Sequence, residues 1–330
     1  MPDDDSATPR GAGRAADAVP VRGTGTGILL AVVAYGLWGV LPLFFLLLAP
    51  AGAVEVVAWR IVLSLLFCAV LVTVTRSWPR LLELLRDRGV MLTLGIAGLL
   101  ILVNWLVYVF ATLSGQVVEA ALGYFTNPIV TVLLGVFVLR ERLRIAQWVA
   151  IGISAVAVIV LAVNYGRVPI IALALAFSFG LYGLIKKRVG ARVDALSGLT
   201  IETLWLSPLA GGALIAIAAT SGLTTGTAGL TQTLAMLSAG VVTAVPLLLF
   251  AGAARRLPLA YLGLSQYLAP IMQFLIGVAV LHEAMPPARW AGFALVWIAL
   301  IVLTIDMFAA SRAAAGDARG RATGDAVGPV

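Results

Sequence analysis

Charged side chains, cysteine and histidine are scarce in this chain of 330 residues. Asp, Glu, Lys and Arg together make up 11% of it, less than half of the roughly 25% that soluble domains carry. The single cysteine, Cys68, excludes an intrachain disulfide. The single histidine, His282, has no second histidine and no cysteine near it in the sequence, so we expect no metal site and no cofactor.

Motifs of hydrolases and of ATP-driven proteins are also missing from the sequence. It contains no Gly-x-Ser-x-Gly, no His-Glu-x-x-His and no P-loop. We therefore expect a protein that is not an enzyme and that does not use ATP directly.

Long hydrophobic runs are what the chain has instead. Hydrophobic residues make up 62% of it, and a helix needs about 20 predominantly apolar residues to cross a bilayer. The sequence predicts an all-α integral membrane protein with ten spans, at 27–48, 54–75, 89–112, 117–139, 145–163, 168–185, 199–219, 233–252, 259–281 and 289–308.

The chain contains an internal repeat. Pro128–Trp148 aligns with Pro270–Trp290 without a gap, and ten of the 21 positions are identical. The repeat predicts two units of five spans, 27–166 and 167–309, between tails at 1–26 and 310–330 that we expect to be disordered because they bury almost nothing. Since five is odd, the second unit is inverted relative to the first, as in many secondary transporters.

The basic residues agree with ten spans. With the N-terminus inside, 19 of the 22 Lys and Arg fall on the cytoplasmic side, two fall outside and Arg60 lies within a span. This segregation predicts a multi-pass protein of the plasma membrane with both termini cytoplasmic. The basic residues are scattered over the connecting loops, so we expect no binding to nucleic acid. Between the second and third spans, Trp78–Arg88 fits a short amphipathic helix on the inner surface and an ordinary charged loop equally well.

Short motifs in both halves resemble the RarD branch of the EamA family, in the drug/metabolite transporter superfamily. They occur in order over residues 25 to 310: Tyr35-x-x-Trp38-Gly39-x-x-Pro42, Trp59-Arg60, Asn104-Trp105-x-x-Tyr108, Glu119-Ala-Ala-Leu-Gly123-Tyr124-x-x-Asn127-Pro128, Glu141-Arg142-Leu143, Phe179-Gly180-x-Tyr182-Gly183, Glu202-Thr203-Leu204 and Gln266-Tyr267-x-x-Pro270. The resemblance implies a ten-helix inner-membrane permease with cytoplasmic termini, and it implies no particular substrate.

Polar and aromatic residues inside the spans are the candidates for a substrate site, because such groups do not favourably face lipid. Aromatic walls are predicted from Trp38, Tyr108, Tyr124, Tyr182 and Tyr267, and amides that orient a solute from Asn104, Asn127 and Gln266. Arg60 is predicted to bind an anionic group, and Glu119 or Glu202 to carry a proton.

Structural roles for these residues stay open beside the functional ones. Glu119 fits a carboxylate at the positive end of its helix. Arg60 fits a tie to carbonyl groups of a neighbouring helix, and Glu202 fits a solvated group at the cytoplasmic mouth. The amides and tyrosines fit hydrogen bonds between helices. Glu141 and Glu283 match across the repeat, and we interpret both as structural, at the start of the span that follows each.

Prolines interrupt corresponding helices of the two halves. Pro128 and Pro270 are equivalent, and each frees the carbonyl group four residues before it. Pro246 is equivalent to Asn104. Interrupted helices at matching positions point to a central site, so we predict that these three prolines are hinges; kinks that serve packing alone are the alternative.

The sequence therefore predicts a secondary-active transporter that moves a small polar or amphipathic metabolite or drug by alternating access, coupled to an ion gradient. A channel or a lipid flippase on the same fold is the alternative. Expected partners are a small-molecule substrate and membrane lipid, with protons and a second copy of the chain as further candidates.

Overall fold

The computed structural model describes residues 24–139, 143–165, 168–189, 192–254, 256–257 and 259–324. Every regular element in these ranges is a helix. The side chains of Glu141 and of the predicted tails lie outside the part of the chain that is described.

The first repeat holds seven helices. They are α1 (Thr24–Gly39), α2 (Leu41–Leu46), α3 (Ala53–Val74), α4 (Trp78–Arg86), α5 (Arg88–Leu113), α6 (Val117–Leu139) and α7 (Ile145–Tyr165). The second repeat holds α8 (Ile170–Val189), α9 (Ala195–Thr220), α10 (Leu230–Ala254), α11 (Leu259–Ser265), α12 (Leu268–Leu275), a π-helical turn at Ile276–Val280 and α13 (Pro287–Gly324). The backbone of α13 continues through an Ala-rich sequence into the predicted tail, consistent with the high helix propensity of alanine.

The predicted ten spans are confirmed. Nine helical segments among the described residues are long and apolar enough to cross a membrane, and Ile170–Lys186 of α8 is a shorter apolar helix that supplies the tenth. Two of the spans are broken: α1 and α2 together form Gly25–Leu46, and α11, α12 and the π-helical turn form Tyr261–Val280.

The segment after the second span is helical, as one of the two interpretations expected. In α4, Leu81 and Leu84 are buried while Arg80, Glu83 and Arg86 are exposed, so the helix is amphipathic. Asp87 ends it and accepts hydrogen bonds from the first amides of α5. The hydrogen bond from the Val90 amide contributes most to lowering the pKa of Asp87 below its ordinary value.

Helix packing follows the internal repeat. Helix α3 packs on its equivalent α9, and α7 packs on its equivalent α13. Contacts between unlike helices also come in pairs: α5 with α8 corresponds to α10 with α1, and α6 with α8 corresponds to α12 with α1. The two repeats therefore face each other across a pseudo-twofold axis, which is the arrangement of a self-complementary interface.

Contacts between helix ends show that the repeats are inverted. The residues before α5 pair with those before α9, through Arg80 with Asp194 at 3.1 Å and Arg192 with Asp87 at 2.9 Å. Helix α5 is the third span of its repeat and α9 the second of its own. Two such helices begin at the same face of a bundle only if one repeat is upside down relative to the other.

Candidate functional site

The Arg60 side chain lies buried between the two repeats. It projects from α3 and is 5% exposed. Its Nε donates a hydrogen bond of 2.7 Å to the Thr243 hydroxyl on α10, and its guanidinium carbon lies 4.3 Å from the ring centre of Trp105 and 5.5 Å from that of Phe45. Among the described residues, no hydrogen-bond partner reaches the Arg60 Nη1 atom.

Asn104 connects three helices close to this arginine. Its amide nitrogen donates to the Leu175 carbonyl at 3.2 Å and to the Ser178 hydroxyl at 3.1 Å, both on α8. Its carbonyl oxygen accepts from the Tyr124 hydroxyl of α6 at 3.0 Å. These contacts fill the hydrogen-bonding capacity of the amide almost completely, so Asn104 holds the phenol of Tyr124 in place.

Five aromatic rings form a row through the interface, which we call the aromatic row. Successive ring centres are 5.8, 5.5, 6.1 and 5.9 Å apart, within the range of favourable aromatic pairs. In order, the members are Phe45, Tyr108, Tyr124, Phe179 and Tyr182. The row starts in the first repeat and ends in the second. The Tyr108 hydroxyl is buried, and no partner for it is found in the described ranges.

The last ring of the row contacts a buried ion pair. The Tyr182 hydroxyl donates to Glu202 Oε2 at 3.3 Å, and the Lys186 ammonium lies 2.7 Å from Glu202 Oε1. The Glu202 side chain is 3% exposed and that of Lys186 is 29% exposed. The solvated position that we considered for Glu202 is therefore wrong: the carboxylate is buried, and its charge is balanced by a lysine one helix away.

Carboxylates join the two repeats at the opposite end of the bundle, where α3, α6 and α8 begin. Glu119 accepts from the Ile171 amide of α8 at 3.2 Å, and Glu283 accepts from the first amides of α6 at 2.6 and 3.0 Å. Glu55 accepts from the amides and hydroxyls of Thr224 and Thr225. Helix N-termini favour negative charge, so the contacts of Glu119 and Glu283 with the starts of α8 and α6 stabilise the packing of the two repeats at that end.

Glu283 therefore has a structural contact, as the sequence indicated, but the helix that it caps is α6 and not the one that follows it. Burial raises the pKa of the Glu283 carboxyl, although the two amides of α6 favour its charged form. The equivalent Glu141 is outside the described residues.

Three predicted site residues lie away from the aromatic row, and a fourth, Asn127, lies beside Gly180, next to the row member Phe179. Trp38 packs with Tyr35 and Phe250, at ring distances of 5.3 and 5.9 Å. Tyr267 packs against a second apolar core around α7 and α13. Gln266 is half-buried at the break between α11 and α12. Asn127 is half-buried on α6, and no described residue bonds to its side-chain oxygen.

The three prolines differ in what they do to their helices. Helix α6 runs through Pro128 and α10 runs through Pro246 without a break in assignment. The span that contains Pro270 is divided at Gln266 and Tyr267, and it ends in the π-helical turn. Of the two equivalent spans that contain Pro128 and Pro270, only the one with Pro270 is therefore interrupted.

Sequence reasoning missed several residues of the site. Phe45, Trp105 and Phe179 are apolar or aromatic and give no signal of their own within a hydrophobic span. Thr243 and Lys186 are polar groups in the second repeat, and the lysine was counted among the cytoplasmic loop charges. Within the described ranges, no group of three His, Cys, Asp or Glu side chains is placed to hold a metal ion.

Comparisons with known proteins agree with this architecture. Residues 25–163, which cover the first repeat, match the model of the EamA-like transporter family. Protein RarD of Streptomyces exfoliatus is 47% identical over 92% of this chain and 94% of its own. An uncharacterized transporter of Pseudomonas aeruginosa, PA0485, is 41% identical over 87% of this chain and 95% of its own.

A solved crystal structure shares the fold. It covers 85% of this chain and 97% of its own, with a TM-score of 0.54 and 21% sequence identity. A likeness at that identity supports the fold alone, whereas the relatives above support the family. This multi-pass membrane protein therefore belongs to the EamA-like transporter family, in its RarD branch.

Proposed function

We propose that the protein is a secondary-active transporter whose cargo binds along the aromatic row, between the two repeats. The observation that carries this proposal is the composition of the row and its surroundings. Helices of both repeats supply the rings and the polar groups, so a movement of one repeat against the other changes the site.

Unpaired polar groups support a binding role over a purely structural one. Buried polar atoms in proteins are nearly always hydrogen-bonded, and each exception needs an explanation. Two such atoms, the Arg60 Nη1 and the Tyr108 hydroxyl, occur in the same region. Packing alone would favour apolar side chains at these positions, because leaving a buried donor unpaired costs about 1–3 kcal/mol.

We propose that Glu202, of the two candidate carboxylates, carries the proton, and its buried pair with Lys186 supports this choice. A carboxylate that is paired with an ammonium group stays charged, and separation of the pair in a dry site favours its protonation. We propose that Glu202 takes up a proton when Lys186 moves away during the transport cycle. Glu119 bonds to a helix N-terminus and keeps its structural role.

Flux measurements in proteoliposomes test this mechanism. A metabolite that raises the melting temperature of the purified protein is chosen as the cargo, since ligands of the folded state stabilise it. With wild-type protein, we expect saturable uptake, acceleration by unlabelled cargo on the far side, and accumulation driven by a pH gradient. Glu202→Gln should still exchange cargo but ignore the gradient, and Glu119→Gln is the matched control that should respond to it.

The same vesicles separate the alternatives. A channel would show no acceleration by cargo on the far side, and wild-type flux that is indifferent to the pH gradient would remove the proton role. A flippase would transfer a fluorescent phospholipid between leaflets in protein-containing vesicles but not in empty ones. The homodimer stays a prediction, to be checked by light scattering of the purified protein.

A further inference from the structure

We propose that the cargo is a small organic monoanion: its carboxylate binds Arg60 and the Tyr108 hydroxyl, and its apolar or aromatic body lies on the aromatic row. This inference rests on the proposed function, and it names the chemical class of the cargo. It starts from the charge balance inside the membrane.

Arg60 carries a buried charge that the described residues do not neutralise. The ion pairs of the described residues join Arg80 with Asp194, Arg144 with Asp306, Lys186 with Glu202, and Arg192 with Asp87, and none includes Arg60. Its described contacts are the Thr243 hydroxyl and the faces of Trp105 and Phe45. Removing a charge from water costs several kcal/mol unless it is paired, so an anion is the expected complement.

The other buried acids have partners of their own. Glu202 is bonded to Lys186 and Tyr182, Glu55 to the loop before α10, and Glu283 to the start of α6. Glu202 is also the repeat equivalent of Arg60, because 60 and 202 differ by the repeat offset of 142. At Glu202 the charge is paired inside the protein, and at Arg60 no described residue pairs with it.

Two donors are available for the anion. The Arg60 Nη1 atom and the Tyr108 hydroxyl are buried and have no hydrogen-bond partner within the described ranges, and the exposed fractions of these residues are 5% and 3%. The guanidinium carbon of Arg60 and the ring centre of Tyr108 lie 5.5 and 5.8 Å from the centre of the same Phe45 ring. A guanidinium group and a phenol beside one ring offer two donors suited to the oxygens of a carboxylate.

The number of charges favours a carboxylate over a phosphate. Among the described residues, the site offers one guanidinium group outside an ion pair, and Lys186, at the other end of the aromatic row, is already bonded to Glu202 at 2.7 Å. A dianion would therefore leave one negative charge buried without a partner. The Phe45, Tyr108 and Tyr124 rings beside the guanidinium provide the surface for an apolar body.

Binding to the detergent-purified full-length protein tests the proposal. The probes are phenylacetate, 3-phenylpropionate and 4-phenylbutyrate, each with its neutral amide, together with 2-phenylethylphosphonate at a pH where it is a dianion. Calorimetric titration of the wild-type protein should show that at least one carboxylate binds on the order of tenfold more tightly than its amide and than the phosphonate, because hydrogen bonds to charged groups are the stronger ones.

Variants then locate the site. Tyr108→Phe removes only the hydroxyl, and Arg60→Lys keeps the charge but loses the planar fork of donors. Each should weaken binding of the carboxylate by about tenfold and leave binding of the amide unchanged. Tyr35→Phe is the matched control, a buried tyrosine of the Trp38 cluster, and it should bind like the wild type.

Three results would overturn the anion site. The first is equal affinity of the wild-type protein for an acid and its amide, a result that does not depend on the folding of any variant. The second is tighter binding of the phosphonate than of the carboxylates. The third is full affinity for the carboxylate in both site variants. Binding is an equilibrium measurement that does not depend on transport. Carboxylate binding without flux of any solute would refute the proposed transporter and support the anion site, whereas flux of neutral solutes without carboxylate binding would do the reverse.

Discussion

Replacement of Gly240 by alanine should destabilise the protein, because α3 and α10 touch backbone to backbone at this glycine. A methyl group on Gly240 would lie 2.5 Å from the carbonyl carbon of Leu63 and 2.9 Å from the amide nitrogen of Ser64, and closer still to the Leu63 carbonyl oxygen. Backbone atoms cannot turn away as a side chain can. The two helices would have to separate next to Arg60.

The internal repeat supplies a matched control. Gly98 is the equivalent of Gly240 and lies at the corresponding crossing of α5 with α9. A methyl group there would meet the Glu202 carbonyl oxygen at 3.4 Å and the Leu206 side chain at 3.6 Å, which are ordinary contacts. Overpacking costs about 1–3 kcal/mol, and alanine in a helix gains about 1 kcal/mol over glycine. Because the clash at Gly240 is with backbone atoms, we place its cost in the upper part of that range, about 2–3 kcal/mol. We therefore expect a net loss of about 1–2 kcal/mol for Gly240→Ala, and no loss or a small gain for Gly98→Ala.

The single cysteine provides the assay. Cys68 lies on α3 and is fully buried, so a fluorogenic thiol reagent labels it only when the bundle opens. Labelling across a titration with a denaturing detergent gives the free energy of unfolding of each variant. A Gly240→Ala protein as stable as the wild type would refute the close approach of α3 and α10. An equal loss of stability in Gly98→Ala would show that the loss comes from the position in the repeat and not from the backbone contact.

Three further predictions concern topology, hinging and pH. Reporters fused after Arg80 should report the cytoplasm and those after Gly226 the outside; the same side for both would contradict the inverted repeats. The Pro128→Ala and Pro270→Ala variants should insert normally, but exchange between their inward and outward states should be slower. Unchanged flux in the double variant would show that both prolines serve helix packing only. Burial acts to raise the pKa of Asp194, but the first-turn amide of α9, a hydroxyl and Arg80 outweigh it and lower the pKa. Its stabilising effect is therefore present above the unfolded pKa of about 4 and is lost as the pH falls through the folded value, and the melting-temperature difference between wild type and Asp194→Asn should shrink at low pH.

The sequence was sufficient to predict the architecture because only a few kinds of fold can span a membrane. Apolar runs of fixed length predicted ten spans, the segregation of basic residues agreed with that number, and a gapless internal match divided the spans into two inverted units. The sequence indicated the two broken spans only in part. Pro270 indicated an interrupted span, but the π-helical turn after it could not be predicted because it has no proline or glycine pair of its own.

The sequence predicted part of the site, namely its intramembrane polar residues and tyrosines, but not which of them contact each other. Polar side chains such as Asn104 and Glu202 are conspicuous inside a span, so periodicity found them. Which of them meet depends on how helices pack across the repeats, and Tyr124 reaches Asn104 while Tyr267 faces a different core. Lys186 was missed because its position near a helix end is equally consistent with a loop charge that favours the cytoplasmic side.

The two repeats arrange equivalent helices symmetrically, but different residues at equivalent positions make the centre of the protein asymmetric. Arg60 and Glu202 occupy matching places on α3 and α9, two helices that pack against each other, yet they carry opposite charges. Asn104, which orders α8 and Tyr124, corresponds to Pro246, which cannot donate a backbone hydrogen bond. A site that is symmetric would present the same groups to cargo from either face of the membrane. Among the described residues, the cation without an ion pair belongs to one repeat and the internally paired anion to the other, so the anionic cargo that we propose would meet different groups in the two repeats.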